Sequence, residues 1–414
     1  MTMPTQSYSA SIIIPVFNQW EFTSKCLCSL HRHTLENIEV VVVDNSSTDQ
    51  TREELDALGA SLWGDSFRAI HCDLNHGFAH ACNLGANTAT SQTLFFLNND
   101  TELTPNWLPP LLAALDEDSS LGGVGPLLLY PGSNLVQHLG IAFLPGAQAE
   151  HLYEYFPATH PLASGPRHPK AITAAALCMP KKIFRDAGGF FEGYKNGCED
   201  IDLCLTLRAK GYRFRCVPQS TVYHHTSQTV GRFDNDQPNS ALLLSRHGQN
   251  LTPDIHHHAL ADGYDIRLNE WLLASVGLPP ERAAALDAKA DDDNPRLWLD
   301  MLDREPLWEN GYDLLAGWLD AQRSFQEALH IRTLAAHFHP SKVRYIQLLK
   351  AAQKAGKPEL AQHALEKLEK IATESRDLHR KAIRRAQWAK SSGEPFWEKL
   401  YMGWLSQYGA AAGR

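Results

Sequence analysis

No apolar run in the 414 residues approaches the roughly twenty that a membrane-spanning helix needs, which excludes a helical transmembrane protein. The opening, MTMPTQSYSA, lacks the charged region and apolar core of an export signal, so the cytoplasm is the default expectation. Cysteine is confined: all eight lie between Cys26 and Cys216, and none follows. Cys26 and Cys28 form a CxC pair with no second pair at zinc-finger spacing, so reduced, mostly buried thiols are expected rather than a disulfide framework. No glycine-rich loop follows the first apolar run. SIIIPVFNQWE therefore offers neither a nucleotidyltransferase phosphate loop nor the GxGxxG of a dehydrogenase. The formal charge of -9, with no recognition motif, argues against a nucleic-acid partner.

What is present has a clear grammar. SIIIPVF (11–17), IEVVVVD (38–44) and TLFFLNND (93–100) are short, continuous and rich in β-branched or aromatic residues, as strands buried on both faces are. Trp20 to Leu35 is long enough for a crossover helix, and DNSSTDQTREELDAL supplies caps and then helix formers. This βαβ pattern predicts a mostly parallel sheet with functional groups at the strand ends. ITAAALCMP (172–180) reads as a central strand and FRCVPQSTVYHH as a later one. The α/β domain is expected to span 1–240.

Beyond it the chain reads as helical. LNEWLLASVG falls within a helical linker region over 241–300, and 301–414 carries three-to-four-residue apolar spacing broken at Gly356-Lys357-Pro358 and near Gly393. Helical hairpins of the tetratricopeptide kind are expected, although no clean repeat of about 34 residues is present. Between Ser341 and Lys390, thirteen Lys/Arg face five Asp/Glu. That excess suits a solvated helix surface, an anionic face of the inner membrane or a partner protein.

Carboxylates and histidines gather at the strand ends. Asp44 closes the second strand, where it can accept hydrogen bonds from a nucleobase or ribose, or cap the Ser46–Thr48 turn. Asn98, Asn99 and Asp100 end the third, and a hard divalent cation is a natural partner for the carboxylate. TVYHH (221–225) could supply an imidazole. Glu199, Asp200 and Asp202 crowd the start of a helix, opposing its dipole or serving chemistry.

In chain order, SIIIPVFNQ with VVVVDNSSTDQT, NHGFAHACNLG, FLNND, GGFFEGYKNGCEDIDLCLTLRAKGY and VYHHTSQTVGR resemble the GT-A glycosyltransferases of family 2, particularly bacterial enzymes that build surface polysaccharides or add rhamnose, galactose or similar sugars. The matches span about residues 11 to 232 and leave the helical C-terminal region unmatched. The resemblance implies a Rossmann-like GT-A fold for the first domain, and the helical spacing an all-α domain after it. It implies Mn²⁺ or Mg²⁺, a nucleoside-diphosphate sugar donor with UDP or dTDP favoured, and a glycan, lipid-linked glycan or protein acceptor.

The resemblance also assigns roles. Pro15 and Asp44 would line the nucleotide pocket, with Asp44 reading the base. Asn75, Phe78 and Asn83 would shape the floor beneath nucleotide and phosphates. Asn98 and Asp100 match the metal motif, with Asn98 in place of its first Asp and Asp100 the ligand. His224 would complete the metal site, with His225 the less favoured register. Asp200 would be the general base of an inverting reaction, Glu199 its neighbour at the acceptor edge and Asp202 a helix cap. Gly188-Gly189-Phe190 would form the turn that aims the site, and Gly197 would free the chain just before the carboxylates. HTSQTVGRFDNDQ would close over the donor, bringing Arg232 to the diphosphate. The rival reading is a scaffold with a degenerate catalytic domain, and the intact Asp44, Asp100, Glu199, Asp200 and His224 oppose it.

Overall fold

The computed structural model describes residues 8–225, 236–248, 250–290, 293–374 and 377–408. The chain forms two compact units, Met1–Ile255 and His256–Arg414. The first begins with strict alternation: β1 (Ala10–Val16), α1 (Trp20–His33), β2 (Ile38–Asp44), α2 (Thr51–Trp63), β3 (Phe67–His71), α3 (Phe78–Thr88) and β4 (Thr93–Leu97). β1 pairs parallel with β2 and β4, and β2 with β3. β2 is buried along its whole length and β1 everywhere but Pro15, which is why both runs are continuously apolar. Cys26, Leu27 and Leu30 of α1 and Leu55 of α2 cover one face, packing with Ile12, Ile14, Val40 and Val42. Ala81 of α3 covers Val41 and Val43 on the other. α3 approaches so closely that a Cβ on Gly85 would meet Ile13 Cγ2 at 2.5 Å.

The unit continues with β5 (Thr101–Leu103), α4 (Pro109–Glu117), β6 (Leu121–Leu129), β7 (Val136–His138), β8 (Ile141–Leu144), β9 (Gln148–His151) and α5 (Pro161–Ser164). It closes with β10 (Ala176–Pro180), α6 (Lys181–Ala187), α7 (Glu199–Ala209), β11 (Arg213–His224) and α8 (Asp236–His247). The nine-stranded sheet runs β3-β2-β1-β4-β10-β6-β11-β5, with β7 on β6. β10 is antiparallel to β4 and β6, while β11 is parallel to β6 and antiparallel to β5. The sheet is therefore mixed, and the parallel order expected from the βαβ pattern holds for its β3-β2-β1-β4 half. β10 runs against β4 because the chain enters it at the edge where β4 leaves, with Ala176 paired to Leu97. β10 is also shorter than ITAAALCMP suggests, because residues 172–175 turn beside that edge.

α9 (Ile255–Ala261) crosses the boundary between the units. The second unit then has β12 (Asp265–Leu268), β13 (Ala274–Gly277), α10 (Pro280–Asp287), α11 (Pro295–Arg304), α12 (Glu309–Ala321), α13 (Phe325–Phe338), α14 (Lys342–Lys354), α15 (Pro358–Glu374), α16 (Leu378–Ser391) and α17 (Pro395–Tyr408). LNEWLLASVG, read as helical from its spacing, is instead a turn and a strand. The Asn269 carboxamide oxygen accepts from Trp271 N (2.9 Å) and Leu273 N (3.0 Å), and Leu272 is left-handed, so a local side-chain turn displaces the helix. Elsewhere the helices have ordinary starts: Asn294 caps α11 through Leu297 N, and Ser341 caps α14 through Arg344 N.

α12 packs on α13, α14 on α15 and α16 on α17. Each pair turns through a short link carrying one left-handed residue: Arg323, Gly356 or Gly393. Small side chains (Ala336, Ala351, Ala352 and Ala364) let α13, α14 and α15 approach one another. The last pair returns to the unit's beginning. Trp404 Nε1 donates to Asn269 O at 2.9 Å, Arg385 to Leu272 O at 2.9 Å, and Phe396 stacks on His256 at 4.7 Å. Among the described residues no helix is long and apolar enough to cross a membrane.

Candidate functional site

The parallel register sets Val16 opposite Asp44 and Asp44 opposite His71, so β1, β2 and β3 end together. At this edge lies a cavity of about 910 Å³. Pro15 of β1 and Phe17 just after it, Asn45 after β2, Asn75 before α3 and Phe78 at its start, and Asn98 and Asp100 after β4 all line it. The loops here are tied to each other. Asn18 N donates to Ser47 Oγ (2.8 Å), and Asn18 Oδ1 accepts from Thr48 N (2.7 Å). Asn18, Gln19 and Ser46 are all left-handed without being glycine, a strain that concentrates at working sites. Asn45 Nδ2 donates to Asn75 Oδ1 (2.8 Å) and to Gly77 O (3.1 Å), fixing the entry to α3.

Asp100 and His224 meet on the cavity wall. β11 pairs with β5 so that His224 faces Thr101, the neighbour of Asp100. His224 Nε2 is 3.2 Å from Asp100 Oδ1, and both side chains are nearly buried. Gln137 of β7 sets the ring's orientation: its Nε2 donates to His224 O (2.7 Å), so its Oε1 accepts from His224 Nδ1 (2.7 Å). Nε2 is then the ring atom aimed at Asp100, with Asn98 Nδ2 also 3.4 Å from it, and a proton or a cation would join ring and carboxylate. Burial raises the Asp100 pKa, but the hydrogen bond and charge of His224 outweigh it and hold the carboxyl below its ordinary range. Among the described residues no three His, Cys, Asp or Glu converge as a metal cluster. One oxygen and one nitrogen ligand, with the other positions left to phosphate oxygens and water, fit a Mg²⁺- or Mn²⁺-type ion. His225 is turned elsewhere, with its Nε2 2.7 Å from Glu102. Cys26, beside Asn98 and Thr101, is an inert core thiol whose pKa burial pushes up to about 12. All eight cysteines are free.

The structure places other expected residues around this cavity rather than on it. Asp44 is fully buried: Oδ1 accepts from Ser47 N (2.8 Å) and Oδ2 meets His71 Nδ1 (2.9 Å). The His71 ring also meets Asp56 at 2.7 Å. Burial lowers its pKa and the two carboxylates raise it, with a net upward shift. Asn83 ties α3 to the Gly188–Glu192 turn, with its Nδ2 donating to Phe190 O and Glu192 Oε1 and its Oδ1 accepting from Phe190 N. Gly188 and Gly189 are both left-handed, and a Cβ on Gly189 would strike Asn83 Oδ1 at 2.6 Å.

Three consecutive positive-φ residues, Asn196, Gly197 and Cys198, deliver α7. Glu199 is buried and Asp200 half-buried. Asp200 Oδ2 accepts from Ala174 N at 3.1 Å, between the lining residues Thr173 and Ala175. Asp202 caps nothing. It is a buried hub that accepts from Tyr194 OH (2.9 Å) and Arg246 Nε (2.6 Å) and meets His247 Nε2 (2.8 Å). Position and charge alone suggested a cap, but residues 44 and 45 further along the chain claim it. Arg232 and most of the expected donor loop lie outside the described residues.

Sequence reasoning missed several lining residues: Tyr130, Gln137, His151, Glu154, Glu192 and Lys195. Tyr130 ends the apolar run GPLLLY, so the strand-end rule that found Asp44 could have found it. Gln137 and Glu154 carry no local signal.

Residues 11–167 match the family model described as glycosyl transferase family 2. The O-antigen biosynthesis protein RfbC of Myxococcus xanthus is 31% identical over 227 residues, covering 52% of this chain and 17% of that protein. A pre-mycofactocin glycosyltransferase of Mycobacterium tuberculosis (strain ATCC 25618 / H37Rv) is 28% identical over 291 residues, covering 67% of this chain and 54% of that one. The chain thus spans no more than about half the length of these curated relatives. Among solved structures, GalNAc-T7 with UDP, GalNAc and Mn²⁺ has a TM-score of 0.50 at 18% identity, over 59% of this chain and 50% of that chain, which speaks for the fold alone. With the βαβ half-sheet and the antiparallel β10, these matches relate the N-terminal unit to the family 2 glycosyltransferases of GT-A fold, and the chain carries an additional helical C-terminal region.

Proposed function

We propose that this chain moves a sugar, with inversion, from a nucleoside-diphosphate donor to a hydroxyl of a glycan, lipid-linked glycan or protein in surface-glycan synthesis. The observation that carries the reading is the convergence of Asp100 and His224 on a cavity at the strand edge. A divalent cation held there would neutralise the diphosphate as it leaves. Asn75, Phe78 and the Pro15–Phe17 strand end form the nucleotide side of the cavity. Asp44, closed off by Ser47 and His71, acts in this reading by fixing the β2 loop, with the base reading left to the residues it positions.

Asp200 is the base. It takes the acceptor hydroxyl proton as that oxygen bonds to the anomeric carbon and the bond to the diphosphate oxygen breaks. Its link to Ala174 N couples it to the segment whose Thr173 and Ala175 line the cavity. Glu199 shapes the acceptor edge behind it. The basic helices α14 to α16 would meet a lipid-linked acceptor's membrane or a partner protein.

Isothermal titration with UDP, dTDP and GDP, with and without Mn²⁺ and repeated on Asp100→Ala, tests the reading. Metal-dependent binding of UDP or dTDP that is lost in the variant is expected. Binding of none of the three would remove the enzyme reading and leave the scaffold one. Inversion is checked by the anomeric configuration of the product, and Asp200→Asn should abolish transfer while nucleotide binding persists.

A further inference from the structure

One polar wall of the cavity is used by neither the metal pair nor the nucleotide side. Tyr130, just beyond β6, and Glu154, beyond β9, both line it, and Tyr130 OH donates to Glu154 Oε1 at 2.5 Å. Burial and then the Glu154 charge push the phenol's pKa far up, so the hydroxyl remains a donor. The Tyr130 ring stacks on Tyr155 with centroids 4.8 Å and planes 12° apart.

Glu154 itself is flanked by two left-handed residues, Tyr153 at φ 55° and Tyr155 at φ 63°. Neither side chain favours that region, so the surroundings hold it there. Arg167 lies over the Tyr153 ring at 4.6 Å, Phe156 N donates to Tyr153 O (3.0 Å), and Tyr155 N donates to Val136 O (2.7 Å).

β7 links this wall to the metal pair. Val136 O accepts from Tyr155 N and Val136 N donates to Phe156 O, both just after Glu154, and the next residue, Gln137, holds His224. The Glu154 turn and the Asp100–His224 pair are thus secured by adjacent residues of one short strand. A diphosphate at Asp100 and His224 carries its sugar one phosphoester bond away, which brings the ring toward this wall. The described lining of the cavity carries three carboxylates (Asp100, Glu154 and Glu192) and one lysine, Lys195.

We propose that Glu154, held by Tyr130, reads the hydroxyls of the donor's sugar and selects neutral or amino sugars over uronic acids. The inference rests on the glycosyltransferase reading above. A carboxylate can accept from two neighbouring sugar hydroxyls or from a sugar ammonium. A uronate would set a second carboxylate against Glu154, and Lys195 is the one lysine or arginine of the described lining.

The test is titration of the full chain, with Mn²⁺ present, on wild type, Glu154→Gln and Tyr130→Phe. The probes are the nucleoside diphosphates alone and their glucosyl, galactosyl, N-acetylhexosaminyl, amino-sugar and glucuronyl forms. Sugar-free nucleotide should bind all three proteins within about twofold. The preferred neutral sugar nucleotide should lose about tenfold in Glu154→Gln, where the charged acceptor is lost, and less in Tyr130→Phe, where only the bond that orients it is lost. The glucuronyl form should bind wild type more weakly than its neutral counterpart and gain in Glu154→Gln. Neutral-sugar affinity unchanged in Glu154→Gln overturns the subsite, as does an equal loss for sugar-free nucleotide or a change in acceptor KM alone. Wild type that binds no nucleoside diphosphate defeats the parent reading instead, and the subsite falls with it.

Discussion

Asp100 and Asp202 each meet a histidine, at 3.2 and 2.8 Å, and both carboxyls are held below the ordinary aspartate range. Their surroundings differ in what remains for a ligand. Asp202 is enclosed by Tyr194, Arg246 and His247, and Arg246 also covers the Phe191 ring at 3.6 Å. Asp100 faces a histidine nitrogen whose other side is locked by Gln137, and it opens on the cavity. A carboxylate whose acceptor sites are filled by protein donors holds the fold. One that meets a single histidine nitrogen at a cavity wall keeps acceptor sites open to a cation.

The largest effect that sharpens this contrast is Asp100→Ala. Metal-dependent nucleotide binding and transfer should fall by on the order of a hundredfold or more, while urea denaturation shows little change. Retained metal dependence would sink the assignment. Asp202→Ala should do the reverse, costing about 3 kcal/mol in the same denaturation experiment because Arg246 loses a buried partner. The folded fraction should still bind nucleotide, and a stable Asp202→Ala protein would break the comparison. Gln137→Leu comes next. It removes the acceptor that orients His224, and metal affinity should weaken by roughly ten- to a hundredfold, read by direct metal titration and by the His224 tautomer in nitrogen NMR.

The smallest effect is acid sensitivity. Burial raises the Asp202 pKa, and bonds from Arg246, His247 and Tyr194 lower it by more, so the net shift is downward. Its stabilisation is therefore complete above the unfolded aspartate value of about 3.9 and is lost as pH falls through the lower folded value. The stability gap between wild type and Asp202→Asn should be flat above about pH 5 and close below about pH 4. A gap that widened in acid would mean that the folded pKa is raised instead.

Much of the fold was legible because burial on both faces writes itself as unbroken apolar runs: β1, β2 and β4 lie where SIII, VVVV and TLFFL placed them. The direction of β10 was not legible, since strand polarity depends on where the chain returns rather than on the strand's own residues. Asn269 shows the same limit on a smaller scale, its side chain turning a segment with helical spacing into a hairpin. In the site, strand-end positions announced Asn98, Asp100 and His224, and the family resemblance added Pro15; all four share the cavity. Asn83 and Asp202 were visible as polar residues, but their partners, Phe190 and Arg246, are supplied by tertiary structure. Gln137 and Glu154 fall in irregular stretches where neither period nor spacing marks a residue.

The return of the last helix pair to the start of the second unit has a consequence for how that region tolerates cutting. Trp404 on Asn269, Arg385 on Leu272 and Phe396 on His256 make the unit a closed circuit. An open stack of hairpins would shed its last pair at small cost to the rest. Here removal of α17 withdraws the support of the first strands as well, so trimming should unravel both extremities together. The same closure makes a rearranged chain feasible: new ends opened in the exposed Gly356-Lys357 link, with a short linker joining the old ones, should leave the helices packed as before.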